Sequence, residues 1–357
     1  MNNTMMSSPT AELPDLQSLT QSWRYQPYWP VRNRDVMTIT ASALPRRYSI
    51  NDLPIDSRVV EVATGQGVLI HCHWQQNRTK CPTIIIVHGM EGSSASKYAL
   101  GTADKAFRSG FNAIRYNMRS CGGSEHLSST LYNASLSKDV DIVAKKLMTR
   151  DGIGNIFFAG FSLGGNIILK MAAEYGENIP PEYRGVFAVS PAIDLHASIA
   201  EILLPRNWLY HQNFIRGLRA RLIRKSKLYP DLYDLKPLAK VRNIKEFDDA
   251  YTAPHGGFSS ADDYYTRAST KERLKDIRVP TIMVHADDDP FIPFHMFDSK
   301  PYQGNPFISF CPTRFGGHVG FISQSGRDYD RFWVEHRIID FMKCVLGQSP
   351  ETANIRG

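Results

Sequence analysis

Cysteine is scarce in this chain of 357 residues: five residues, at 72, 81, 121, 311 and 344, odd in number and never spaced as C-x-x-C. That pattern argues against a disulfide framework and a cysteine zinc site, and for reduced thiols in a cytoplasmic protein. No apolar run reaches the roughly 18 residues that a bilayer-crossing helix requires. The opening stretch, "MNNTMMSSPTAELPDL", lacks the basic and apolar regions of a secretory signal. Internal repeats, low-complexity tracts and nucleic-acid motifs are missing too. Acidic residues are outnumbered, 35 against 42 basic, for a formal net charge of +7 and an isoelectric point near 9.1. Such a balance favours contact with anionic surfaces and says nothing about the fold.

What is present is an alternation of strand and helix patterns. "RVVEVAT" (58–64) and "VLIHCHW" (68–74) read as an opening antiparallel hairpin across "GQG". "TIIIVHG" (83–89), "FNAIRYNMR" (111–119), "NIFFAGF" (155–161) and "GVFAVSP" (185–191) then alternate with helical patterns near 96–109, 134–149 and 164–176. The rhythm returns at "VPTIMVHADDD" (279–289), "PFISFCP" (306–312) and a last helix over 330–346. Strands alternating with helices predict an α/β fold with a mostly parallel central sheet and helices on both faces. Between 195 and 275 the rhythm lapses into a mainly helical insertion, expected to be a cap. The expected organisation is an N-terminal arm (1–55) of little periodicity, a core (56–194 and 276–347), the cap (195–275) and a C-terminal tail (348–357).

The stretch "NIFFAGFSLGGNIILKMAAEYG" (155–176) carries the first chemical signal. An apolar strand becomes a helix across Phe161, Ser162 and Leu163, and Gly160 and Gly164 flank the serine. This is the G-x-S-x-G arrangement, in which a strained turn lifts a serine hydroxyl above the sheet edge at a helix N-terminus. Functional groups in open α/β sheets gather in loops after the carboxyl ends of strands. Those loops read "HGMEGSS" (88–94), "RSCGGSE" (119–125), "ADDDPFIP" (286–293) and "TRFGGHVGF" (313–321). An acid and a histidine thus follow the serine in the order that α/β-hydrolases use.

A serine hydroxyl needs a base near pH 7, and His318 is the candidate, with Gly316, Gly317 and Gly320 suiting an exposed loop. A carboxylate must orient that histidine. Asp289, directly before "PFIP", is preferred; Asp288 is second, and Asp287 reads as a loop carboxylate. Leu163 N–H and Met90 N–H occupy the two positions expected of an oxyanion hole. His88 reads as a structural histidine. His71 and His73 have metal-like spacing on one strand but no third ligand, so neither a metal nor a cofactor is expected.

The motifs "HGMEGSSASKY" (88–98), "NMRSCGGS" (117–124), "GFSLGGN" (160–166), "FDDAYTAPHGGFSSADDYY" (247–265), "ADDDPFIP" (286–293) and "GGHVGF" (316–321) make the sequence similar to the YheT-like and Emb8-like branch of the α/β-hydrolases. The resemblance covers roughly residues 25–345. It implies a triad on Ser162, Asp289 and His318 and esterase or lipase-type action on acyl esters. The usual glycine of "NxRG" is Ser120 here, and the usual Asp-Gly turn near the start is Gln66-Gly67.

Three functions are compatible with these residues: hydrolysis of carboxylic esters, acyl transfer on the same fold, and a catalytically silent binding protein. Leu204, Trp208 and Phe214, in the apolar start of the insertion, are expected to wall a substrate pocket. "RGLRARLIRKSK" (216–227) has six basic residues and no acid, the pattern of a solvated outer face of the cap or of a helix lying on an anionic membrane. A small-molecule or lipid ester is therefore the expected partner, with nucleic acid excluded and the oligomeric state undefined.

Overall fold

The computed structural model describes residues 13–300, 302–327 and 330–348. The first 12 residues of the expected arm, and the tail from 349 onward, lie outside the described residues. Strands β1 (Asp56–Ala63), β2 (Gln66–His73), β3 (Thr83–Val87), β4 (Asn112–Tyr116), β5 (Ile156–Phe161), β6 (Tyr183–Val189), β7 (Thr281–Ala286) and β8 (Ile308–Thr313) form one sheet in the order 1-2-4-3-5-6-7-8. The β1–β2 and β2–β4 pairs are antiparallel and the rest parallel. The mostly parallel sheet read from the sequence is therefore the one observed. A short antiparallel pair, β9 (Ile322–Arg327) and β10 (Asp330–Phe332), precedes the last helix, where the sequence suggested helix from 330.

Helices α1 (Leu16–Ser22), α2 (Arg34–Ala43), α3 (Lys97–Arg108), α4 (Ser137–Asp151) and α5 (Leu163–Tyr175) come before β6 or within the N-terminal segment. Helices α6 (Leu195–Ile202), α7 (Trp208–Leu228), α8 (Ile244–Phe247), α9 (Ala253–Gly256) and α10 (Ala261–Ala268) lie between β6 and β7, and α11 (Trp333–Val345) closes the chain. Alternation along the central strands explains two cores. Ile85, Val87 and Phe158 join the one with α4, α5 and the 195–275 helices, whereas Ile84, Ile86 and Phe157 join the one with α1, α3 and α11. With both faces covered, β3 and β5 are buried along their whole length. Each fully buried Ile, Val or Phe contributes roughly 1.5–3 kcal/mol.

Three expectations need correction. The N-terminal segment is not merely an irregular arm: α2 is capped by Asn33, whose Oδ1 accepts from the N–H groups of Asp35 and Val36. The basic run is helical, but its charge is not segregated to an outer face. Arg221 and Lys225 are buried beside Leu218 and Leu222, and Arg224 pairs with Glu125 at 2.8 Å. Lys225 Nζ donates to the carbonyls of Glu125, at 3.0 Å, and Ser128, and burial pushes its pKa down to about 8. Much of the charge expected for a membrane is thus spent on holding α7 to the loop after β4. Finally, the loop bearing His318 is not exposed. Cβ atoms at Gly317 and Gly320 would strike Arg34 O with Thr38 Oγ1, and Met37, respectively, so the glycines serve close packing beneath α2.

Candidate active site

Strand register sets the height of the central loops. Val87 of β3 pairs with Gly160 of β5. Three residues beyond each stand Met90 and Leu163, so both leave neighbouring strands at the same level. Ser162, between Phe161 and Leu163, has φ +54° and ψ −119°, a region rarely entered without glycine. The turn is tight enough that a Cβ at Gly160 would collide with Gly164 O, and one at Gly164 with the carbonyls of Val87 and His88. Gly89, in the loop after β3, also leaves room for the serine, since a Cβ there would come within 3.1 Å of Ser162 Cβ. Backbone bonds hold the strained residue. Its N–H donates to Val189 O, at the end of β6, at 2.8 Å, and its carbonyl accepts from Asn166 N–H at 3.2 Å and from Ala192 N–H at 3.4 Å.

Beyond β7 and β8, paired at Ala286 and Thr313, the chain brings the acid to the base. Asp289 Oδ2 lies 2.8 Å from His318 Nδ1, while its Oδ1 accepts from the N–H groups of Phe291 at 2.9 Å and Ile292 at 3.0 Å. The carboxyl is buried, which pushes its pKa up. The adjacent His318, through charge and hydrogen bond, outweighs that with help from His285 and Ile292 N–H, and holds it below the ordinary value. Asp288 instead accepts from Gly317 N–H at 2.9 Å, and burial, opposed by that bond, pushes it up to about 6. Asp287 is exposed. Of the three carboxylates it is therefore Asp289 that the structure joins to His318, and Asp288 holds the histidine loop. His318 N–H donates to Thr38 Oγ1 at 2.8 Å, and the hydroxyl donates to Arg34 O at 2.7 Å. With Nδ1 turned to Asp289, Nε2 carries no protein hydrogen bond among the described residues, and His318 lines the cavity.

Ser162, His318 and Met90 line one cavity of about 640 Å³. Among the described residues no hydrogen bond joins Ser162 to His318, the looser geometry common before a substrate enters. Neither Met90 N–H nor Leu163 N–H donates to another group among the described residues, and Leu163 opens a 13-residue helix. Of the two, Met90 lines the cavity and Leu163 does not; a helix N-terminus such as the one Leu163 opens can receive an anion. His88 is fully buried. Its Nδ1 lies 2.8 Å from Gly89 O and its Nε2 accepts from Met118 N–H at 3.1 Å, which ties the loops after β3 and β4 together; burial pushes its pKa down to about 4. His71 Nδ1 lies 2.7 Å from Ser57 Oγ, and His73 Nε2 lies 3.2 Å from Arg115 Nη2. No group of three or more metal-ligating side chains occurs among the described residues.

The pocket wall differs in part from the expected one. Phe214 lines the cavity, but Leu204 and Trp208 do not. Trp208 is 59% exposed because the cavity face of α7 runs through Leu209 and Asn213, and through Tyr210 and Phe214, pairs four residues apart. Tyr210 and Phe214 rings pack on Phe291 at 4.5 and 5.6 Å between centroids, and Phe291 packs on His318 at 4.5 Å. Tyr210 Oη donates to Asp35 Oδ1 at 3.0 Å, bridging α7 to α2. Sequence reasoning missed α2 altogether, although Thr38 and Ile39 both line the cavity. Asn33, two residues before Asp35, was the available capping signal.

Comparison with known proteins adds independent findings. Residues 82–298 match the α/β hydrolase fold family. The chain is 30% identical over 285 residues to YheT of Escherichia coli, a protein with an esterase name, covering 78% of this chain and 83% of that one. It is 26% identical over 288 residues to the mouse phospholipase ABHD3, covering 78% and 70% of the two chains. A monoacylglycerol lipase of Saccharomyces cerevisiae is 29% identical over 291 residues, 77% and 63% of the two chains. Among solved structures, a 2,6-dihydroxy-pseudo-oxynicotine hydrolase superposes with a TM-score of 0.57 at 16% identity over 88% of this chain and 74% of that one. A Pyrococcus furiosus esterase does so with 0.53 at 17% identity over 90% and 97%. At these identities the two structures show a shared fold alone.

Proposed function

The chain belongs to the α/β-hydrolase family, and from that premise we propose that it hydrolyses carboxylic esters of the acyl or lipid type with Ser162, His318 and Asp289 as its triad. One observation carries the reading: His318, held 2.8 Å from the buried Asp289, lines the same cavity as a serine on a strained strand-to-helix turn. The relatives named as esterase, phospholipase and monoacylglycerol lipase support the same chemistry.

In this reading His318 Nε2 takes the Ser162 hydroxyl proton as Oγ attacks the ester carbonyl. The carbonyl oxygen becomes an anion received by Met90 and Leu163 N–H, and Asp289 stabilises the imidazolium. Collapse breaks the ester C–O bond, and the leaving alcohol takes the proton from His318. Water then repeats the sequence on the acyl-enzyme and restores the serine. No step requires a metal or organic cofactor. Leu209, Phe214 and Phe291 give the acyl group an apolar wall, and residues 195–275 serve as the cap over a core of 56–194 and 276–347.

Turnover of a p-nitrophenyl ester tests the reading. Ser162→Ala should lower kcat by a factor on the order of 10³ or more. Wild-type rates in that variant would refute the triad. Product analysis with an added alcohol distinguishes hydrolysis, which yields free acid, from acyl transfer, which yields a new ester.

A further inference from the structure

Met90 N–H sits on a loop, and the residue after it is in a conformation that must be held. Glu91 has φ +56°, in the left-handed region. Its N–H donates to Tyr132 Oη at 3.1 Å, and that hydroxyl donates back to Glu91 Oε1 at 2.9 Å. The Arg221 guanidinium closes the arrangement from α7, with Nε donating to Oε1 at 3.1 Å and Nη2 to Oε2 at 3.2 Å. Its Nη1 donates to the carbonyl of Ser120, another left-handed residue at φ +60°. The side chains of Arg221 and Glu91 are only 6% and 14% exposed. One turn before Arg221, α7 approaches so closely at Gly217 that a Cβ there would strike Glu91 Oε2.

Two consequences follow from this placement. The Glu91 carboxylate belongs to the residue adjoining an oxyanion donor, and its charge would oppose the anion that forms there. In a site shielded from water such opposition is strong, and Arg221 neutralises it. Further, α7 carries Tyr210 and Phe214 on the cavity wall and Arg221 on the loop clamp, so one helix spans substrate and oxyanion loop.

We propose that the buried Glu91–Arg221 ion pair is the positioning device of the oxyanion hole, holding Met90 N–H in place from the helix that walls the substrate cavity. The proposal rests on the serine-hydrolase reading. Arg221 and Glu91 are positioning residues, since neither touches the reacting atoms.

The test compares full-length wild type with Arg221→Gln, Glu91→Gln, the double variant and Gly217→Ala, using p-nitrophenyl butyrate turnover and the rate of fluorophosphonate labelling. Misplacing a donor by about 1 Å costs on the order of 10²-fold. Arg221→Gln should therefore lower kcat about 100-fold with KM changed less than about threefold, and labelling should slow in parallel. Glu91→Gln keeps its hydrogen-bonding shape and should lose about tenfold or less. Adding Glu91→Gln to Arg221→Gln should restore kcat at least about fivefold, because the lone carboxylate is gone; a purely packing role would give no such rescue. Gly217→Ala keeps both charges but displaces Glu91, and should show the same loss in kcat; it carries the test if Arg221→Gln does not fold. A wild-type kcat in Arg221→Gln or, where that variant does not fold, in Gly217→Ala overturns the proposal. So does a loss confined to KM, or a double variant as slow as Arg221→Gln alone. If wild type itself neither turns over the ester nor labels, it is the hydrolase reading that fails, a distinct outcome.

Discussion

At Ser162 the backbone is held at φ +54°, and strain of this kind costs about 1–3 kcal/mol. Glycine would relieve it, while giving back only about 0.5–1 kcal/mol through a more flexible unfolded chain. Ser162→Gly should accordingly raise stability by about 1 kcal/mol, read as a higher denaturation midpoint, while ester turnover disappears. An unchanged or lower midpoint would show that the turn is not strained. Asp289 and Asp288 separate along similar lines. Asp289→Asn should lower kcat by roughly 10²–10⁴, since the asparagine cannot stabilise the imidazolium, whereas Asp287→Asn should leave turnover nearly unchanged. Asp288 has a folded pKa raised to about 6 from 3.8. The stability it contributes is fully present below about pH 4 and is lost as the pH rises through about 6. Asp288→Asn, which still offers an acceptor to Gly317 N–H, should then exceed wild type in stability at pH 7.5 and match it near pH 4 in thermal melts. The opposite order would show that the carboxylate is favoured in the fold.

At the scale of elements, α7 does two jobs along its 21 residues. Its first two turns wall the cavity through Leu209, Tyr210, Asn213 and Phe214, and its later turns are pinned to the loops after β3 and β4. Phe214→Ala should widen the acyl subsite and shift preference toward longer acyl chains by about tenfold in relative kcat/KM. Trp208→Ala, on the solvent side, should leave the preference unchanged. A series of p-nitrophenyl esters of two to twelve carbons measures both; a shift in the Trp208 variant alone would reverse the assignment of the helix faces. The elements most legible in the sequence were those whose residues share one local pattern, such as "NIFFAGFSLGGN" turning from strand to helix. The inward face of α7 was not legible for the converse reason. Arg221 and Lys225 find their partners, Glu91, Glu125 O and Ser128 O, 97 to 130 residues upstream, where charge counting cannot see them. Helix α2 was hidden by its surroundings: prolines at 27 and 30 break the pattern before it, and Met37 is its one buried residue.

Across the whole molecule, the site is assembled from segments far apart in sequence. The sheet brings Met90, Ser162, Asp289 and His318 to one edge, and α2, from near the N-terminus, supplies Thr38 to the histidine loop. The order Ser, Asp, His could be read because each residue follows a strand, and parallel strands deliver their loops to one edge. The pairing partner of His318 could not be fixed by order alone among Asp287, Asp288 and Asp289, since the choice depends on which carboxylate the turn after Ala286 directs inward. The pocket wall was less legible still, because it combines helices from two distant segments, α2 and α7, against the sheet edge. The central claim is that this assembly activates one serine. A fluorophosphonate probe followed by peptide mapping tests it most directly. The account predicts modification of Ser162 alone, abolished in Ser162→Ala and strongly slowed in His318→Ala; labelling at another serine, or undiminished labelling of the Ser162→Ala protein, would contradict it.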